Sequence, residues 1–212
     1  MMETDQITHS DLELRERMLV AARDLFYIHG FSRVTMEEIA NKLGMSKKTI
    51  YKFFESKDEI VQDVVRKTLT EVDTACKELM LQSNVNFVDK LKQMMTTVGM
   101  QYSRMGRPLI EDLQRNSPAA WKMISDYRTE KIQRDFGTLL KEGIDKGVFR
   151  NDIDRELVLL IYTHSIQDII NPEILSRIPF TAAQVFDAII KVIFEGILTE
   201  VGRKQYHPDL SI

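Results

Sequence analysis

Apolar residues recur at three- and four-residue intervals along nearly the whole chain, and no segment shows the strict alternation of a half-buried strand. The spacing predicts a first helix over about 11–29, with Met18, Ala22, Leu25 and Phe26 on one stripe and Gly30 at its end. A long helix follows from Lys57 to about Gln82, and another from Asn84 to about Arg104 carries Phe87, Leu91, Met94, Met95 and Val98. Gly106-Arg107-Pro108 breaks that pattern, and a short helix reaches Asn116. Ser117-Pro118 reads as an N-cap followed by a first-turn proline, opening a helix with Trp121, Ile124, Ile132, Phe136, Leu139 and Leu140 that ends near Gly147. Asp154 caps a helix running to Ile170, where Asn171-Pro172 stops it. Thr181 with Gln184 forms a capping box for a last helix to about Val201. The pattern is all-α, without repeats or low-complexity tracts.

The last two long helices are apolar on more than one side. Residues 157–162 are almost continuously apolar, and the final helix keeps only a narrow polar stripe of Asp187, Lys191 and Glu195. A surface helix needs one apolar face. A second face implies either a central buried helix in a monomer or a partner. The favoured expectation is a four-helix interface about a two-fold axis, with Leu157, Ile161, Ile189, Ile193 and Ile197 at the contact.

Residues 35–57 are the most specific stretch. Thr35 and Glu38 form a capping box, Ile39, Ala40 and Leu43 make an apolar face, and Gly44 stands where a positive φ ends a helix sharply. Met45 plugs the corner, Ser46 is an N-cap for a new helix, and Ile50, Phe53 and Phe54 are its buried side. Ala40 lies where two steeply crossed helices touch. This is the layout of a helix-turn-helix. The outward face of its second helix carries Lys47, Lys48, Thr49, Tyr51 and Lys52, next to the free N–H groups of the helix start. Ser56 with Glu59 opens the next helix, whose first residue is Lys57. Lys48 and Thr49 are the expected base contacts. Thr35, Lys47, Tyr51, Lys52 and Lys57 are the expected phosphate contacts. Ser46 belongs to the same DNA-binding surface as its cap.

The first 60 or so residues resemble the TetR family of bacterial transcription regulators. The matching residues are Ala21, Ala22, Leu25, Phe26, Gly30 and Phe31 before the turn, then Thr35, Ile39, Ala40, Gly44, Ser46, Ile50, Tyr51, Phe54, Ser56 and Lys57. Lys48 stands where the family commonly has glycine, and Phe53 where it commonly has histidine. The resemblance implies a three-helix DNA-binding domain over 1–56. A larger helical effector-binding and dimerisation domain over 57–212 would be joined to it by the helix Lys57–Gln82. It also implies a homodimer on a double-stranded, pseudo-palindromic operator, released by a small molecule. Repression is the expected outcome; activation by the same fold, or a ligand-responsive protein-interaction module, are the alternatives.

Composition alters little. The formal net charge of −3 over 212 residues shows no global basic signature, but five lysines and one acid, Glu55, lie between Lys42 and Lys57. The charge that matters for DNA is local. Cys76 is the sole cysteine and reads as a small buried residue beside Val72 and Leu79. No apolar run has the length of a membrane span, and the expected location is the cytoplasm. None of the four histidines follows a glutamate by three positions, and phosphate-loop, nucleophile-elbow and zinc spacings are absent. No catalytic residue, metal or cofactor is therefore expected. Candidate effector-pocket residues are Met94, Tyr102, Met105, Trp121, Tyr127, His164 and Asp168, a methionine and aromatic set suited to an apolar effector such as a fatty acyl compound or drug.

Overall fold

The structure, a computed structural model, describes residues 9–82, 84–104 and 107–206, with only the backbone of Tyr102, Arg107 and Pro108. The helices are α1 (His9–His29), α2 (Met36–Lys42), α3 (Lys47–Ile50), α4 (Lys57–Leu81), α5 (Phe87–Arg104) and α6 (Arg107–Asn116). They continue with α7 (Pro118–Lys131), α8 (Gly137–Asp145), α9 (Arg155–His164), α10 (Pro172–Arg177), α11 (Ala182–Ile197) and α12 (Glu200–Tyr206). A π-helical turn, Ile132–Phe136, joins α7 to α8, and a second, Ser165–Ile169, prolongs α9. Among the described residues there is no strand, only an isolated antiparallel bridge between Phe149 and Leu198. Among the described residues no helix is long and apolar enough to cross a membrane.

Helices α1–α3 close on the start of α4. Met18, Ala22 and Phe26 of α1 meet Ile39 of α2, Ile50 of α3, Phe54 and Ile60, and all of these are fully buried. Four residues suffice for α3 because this shared core holds it; so short a helix would not persist alone. The apolar face of α4 then continues through Val61, Val64 and Val65 to Leu69, Val72 and Cys76, which reach the body of the protein. Along the α1–α4 seam Arg23 pairs with Glu71 at 3.2 Å, Arg15 with Asp63 and Lys67 with Glu16.

Four local outcomes depart from the sequence reading. Ser56 accepts the Glu59 N–H at 3.1 Å, but the Glu59 carboxylate takes the Glu55 N–H at 2.6 Å, so the reciprocal half of the box is shifted by one residue. Ser117 stands at the N-cap of α7 with Pro118 in the first turn, as expected, but its hydroxyl makes no cap bond; it donates to Asp58 at 2.5 Å, a tertiary partner that outcompetes the local one. Asn171 does not merely stop α9: its side chain accepts the Ile174 N–H at 3.0 Å and starts α10. The last helix breaks after Ile197, because the Ile197 carbonyl is taken by the Arg150 N–H at 2.8 Å and the Val148 carbonyl by the Thr199 N–H at 3.0 Å. Gly202 allows that crossing, since a Cβ there would lie 2.2 Å from the Val148 carbonyl oxygen.

Candidate nucleic-acid interface and effector cavity

The head is built by local chemistry. Thr35 accepts the Glu38 N–H at 3.2 Å while Glu38 accepts the Thr35 N–H at 2.7 Å, completing the capping box. Gly44 has φ +65°, a conformation that lets Met45 N–H return to the Ala40 carbonyl at 3.0 Å and end α2 within a turn. Ser46 then caps α3, accepting the Thr49 N–H at 3.1 Å. Ile50 is fully buried, so Lys47, Lys48, Tyr51 and Lys52 are left exposed on the opposite side. The Lys47 ammonium sits 5.9 Å from the centre of the Tyr51 ring, one turn on. Thr49 is half-buried and its hydroxyl lies 2.9 Å from that of Ser46. The exposed Thr35 hydroxyl donates to Glu38 at 2.9 Å.

The structure gives Lys57 a different task from phosphate contact. Its Nζ donates to the carbonyls of Phe31, Ser32 and Val34 at 2.9, 3.1 and 2.8 Å and sits 4.5 Å from the Phe31 ring centre. All three donors of the ammonium are thus spent on the α1–α2 loop. Burial holds its pKa below the ordinary lysine value despite the charges of Asp112 and Glu38. Lys42 is likewise occupied, by Asp24 at 3.0 Å. The exposed cationic surface of the second helix is therefore Lys47, Lys48 and Lys52.

A cavity of about 120 Å³ lies between α4, α5, α7, α9 and α11. Of the candidate pocket residues, Met94 and Tyr127 are in its wall. Trp121 does not: it is half-buried one turn short of the cavity, with the Arg128 guanidinium 5.7 Å from its ring centre. His164 and Asp168 are also corrected. They form an exposed pair at 3.0 Å, because the helical period puts them with Leu157 and Ile161 on the outer side, while Tyr162 and Ile166 face inward. The Tyr102 side chain and all of Met105 lie outside the described residues.

Sequence reasoning missed Leu69, Val72 and Cys76 of α4, Lys131 and Asp135 of α7 and its π turn, and Phe186 of α11, all in the cavity wall. The spacing of Leu69, Val72 and Cys76 was a visible signal of an inward α4 face beyond the head. Both π turns border the space, through Ile132, Asp135 and Phe136 in one and Ile166 in the other; such turns recur where helices bend around functional sites. At one edge Lys131 pairs with both Asp73 and Asp135. Hydrogen bonds from Lys131 and Lys77 lower the Asp73 pKa to about 2. The Tyr127 hydroxyl is buried and has no partner among the described residues. Burial raises its pKa well above the ordinary phenol value, so it remains a neutral donor. Burial also pushes the Cys76 thiol up, leaving it uncharged and poorly nucleophilic.

Of the expected interface residues, Leu157 and Ile161 are exposed together with Leu160. On α11 the outcome differs: Ile189 and Ile197 are buried in the protein's own core, Ile193 is half-buried, and the outward apolar residue is Val192, 75 % exposed.

A capped helix-turn-helix on a compact three-helix head, joined by one long helix to a helical body, defines a DNA-binding transcriptional regulator. Residues 18–64 match the family described as bacterial regulatory proteins, tetR family. The HTH-type transcriptional regulator YvaF of Bacillus subtilis is 30% identical over 187 residues, covering 87% of this chain and 96% of that protein. The repressor KstR2 of Rhodococcus jostii is 26% identical over 147 residues, covering 68% and 71%. A transcriptional regulator from Cytophaga hutchinsonii has the same fold, with a TM-score of 0.68, 17% identity and coverage of 90% and 100%. The chain belongs to the TetR family.

Proposed function

We propose that the protein is a homodimeric repressor, acting in the cytoplasm, that binds a pseudo-palindromic operator through α3 and leaves it when an apolar small molecule fills the body cavity. The observation that carries this reading is the path of α4. Its first turn clasps the head loop through Lys57, and three to five turns later Leu69, Val72 and Cys76 form a cavity wall. A ligand that prefers one tilt of α4 therefore prefers one position of the head, and a coupling of about 1–3 kcal/mol is typical of such linkage. The division at residues 56/57 into reading head and effector domain follows the same helix start. Dimerisation is supported by the exposed apolar row Leu157, Leu160 and Ile161 on α9 and by the exposed Val192 on α11. The relative KstR2 is named as a repressor.

In this reading Lys48 and Thr49 meet base edges, and Thr35, Lys47, Tyr51 and Lys52 meet phosphates. Bound duplexes selected from a random library should share an inverted repeat. On that site Tyr51→Ala should weaken binding without unfolding the head, and each of Lys47→Ala and Lys52→Ala should lower the salt slope by about one unit. A monomeric protein in sedimentation, or selected duplexes without half-site symmetry, would remove the dimeric part; salt slopes unchanged in both lysine variants would remove the contact assignment.

A further inference from the structure

The cavity and the surface are separated by little material on one side. Met95 of α5 and Phe186 of α11 line the cavity, and the same two side chains line an open groove of about 850 Å³ between α5 and α11. The groove runs along both helices, from Met100 near the Gly99–Phe186 contact, past Ile190, to Phe194 and Tyr206 at the other end, where Lys92 meets the Tyr206 ring. Between the two spaces stand a thioether and an aromatic ring. Met95 is half-buried and unbranched, the kind of side chain that changes rotamer at low cost. Phe186 rests against Gly99, where a Cβ would come within 3.6 Å of its ring, so the absent side chain leaves a notch beside the ring. Among the described residues of the cavity wall, the buried Tyr127 hydroxyl has no hydrogen-bond partner.

We propose that Met95 and Phe186 form a movable partition, and that the effector is an elongated, uncharged, mainly apolar molecule whose hydrogen-bond-accepting end meets Tyr127 while its tail passes between them into the α5–α11 groove. This deepens the effector reading above and rests on it. The cavity alone is too small for most of a drug-sized molecule, whereas cavity and groove joined form a channel with apolar walls. Two cations at the groove's rim are paired with carboxylates, Lys191 with Asp187 at 2.8 Å and Arg203 with Glu195 at 2.9 Å, and Lys92 lies against the Tyr206 ring, 4.9 Å from its centre, so the middle of the groove, over Met95, Phe186 and Ile190, is apolar and suits a neutral tail. Tail burial also wedges α11 from α5, and so connects the effector to the same helix that carries Val192.

The test is a series of straight-chain methyl ketones of increasing length, titrated into the full-length protein by calorimetry and followed by NMR of isotopically labelled methionine methyls. If the partition opens, affinity continues to rise by about fourfold per added methylene beyond the length at which Met94 stops responding, and the Met100 methyl, which lines the groove and not the cavity, shifts with long ketones only. In Gly99→Val, whose methyls fill the notch, long ketones lose that gain while short ones bind as before. Affinity that levels off or falls with length in the unaltered protein, with Met100 unmoved, overturns the partition and leaves the inner cavity standing as an effector site. Ketones of every length failing to bind or to shift Met94 overturns the inner site and the partition together.

Discussion

Asp112 of α6 accepts the backbone N–H of Ser32 at 2.6 Å and the Ser32 hydroxyl as well, tying the body directly to the loop between α1 and α2. The carboxylate is also bound by Asn116 at 2.6 Å. Burial raises its pKa, but the Ser32 and Asn116 hydrogen bonds and the Lys57 charge outweigh that and leave it below the ordinary carboxylate value. The neighbouring Ser117–Asp58 bond fixes the start of α7 to the start of α4. The corner between α6 and α7 thus holds both the head loop, at Ser32, and the start of α4, at Asp58, and α7 carries Tyr127 at the cavity. Asp112→Ala should cost about 1–3 kcal/mol in urea melts, as a hydrogen-bonded charge is removed, and should speed hydrogen exchange at the Ser32 amide. Unchanged protection at Ser32 would show that the loop is held without Asp112.

Lys57 and the recognition lysines should separate cleanly in two measurements. Lys57→Met removes three charge-assisted hydrogen bonds to the Phe31, Ser32 and Val34 carbonyls, so stability should fall by about 2–3 kcal/mol. Its salt slope for operator binding should equal that of the unaltered protein, because the ammonium faces the loop rather than the groove. Lys48→Ala should do the reverse, leaving the melt within about 0.5 kcal/mol of the original, as for other exposed positions, while weakening operator binding. A lowered slope for Lys57→Met without loss of stability would return Lys57 to the phosphates.

Acid stability should register the cluster at the cavity edge. Asp73 has its pKa lowered to about 2 by hydrogen bonds from Lys131 and Lys77, and its side chain is 19% exposed. A carboxylate with a depressed folded-state pKa contributes its full stability above the unfolded pKa, near 4, and loses it as pH falls through the folded value. The contribution of Asp73, roughly 2 kcal/mol from that shift, should be intact at pH 7 and disappear between about pH 4 and pH 2. Asp73→Asn should therefore be less stable at neutral pH and show a flatter stability curve over that acid window. Parallel curves for the two proteins would mean that Asp73 is not held as the geometry indicates.

The features legible in the sequence were those whose cause lies within a few residues. The Thr35–Glu38 and Thr181–Gln184 boxes, the Gly44 turn and the Asp154 cap all close within six residues, and each is present in the fold. What escaped depended on chain segments far apart. Lys57 meets a loop some 25 residues earlier, and nothing in its own neighbourhood marks it as a clasp rather than a phosphate ligand. Ser117 has the ideal residue type for a cap but finds Asp58 instead. The break after Ile197 comes from residues 148–150 taking its carbonyl and its neighbours' bonds. On α11, apolarity all round the helix conceals which side is inward: the pattern alone puts Ile189 and Ile197 at the contact, whereas the packing buries both and leaves Val192 outward. Helical period alone was sufficient to place His164 with Leu157 and Ile161, but the choice of outward side again required the packing.

Tyr127 offers a test that separates a ligand site from ordinary core. A buried hydroxyl without a partner costs about 1–3 kcal/mol relative to its paired state, and the Tyr127 oxygen is such a group. Tyr127→Phe removes the hydroxyl and keeps the ring, so in the absence of ligand the protein should become more stable, by about 1 kcal/mol. A residue that merely fills the core would stop there. A residue that orients an effector should in addition lose affinity for a ligand bearing a hydrogen-bond acceptor, by about tenfold for one bond of about 1.4 kcal/mol, and the same variant should need correspondingly more ligand to leave its operator. Calorimetry on the methyl ketones and operator release by the same compounds read the two consequences separately. Higher stability with undiminished ketone affinity would make Tyr127 a packing residue and move the polar end of the ligand elsewhere in the cavity. Lower stability would mean that the hydroxyl already has a partner in solution.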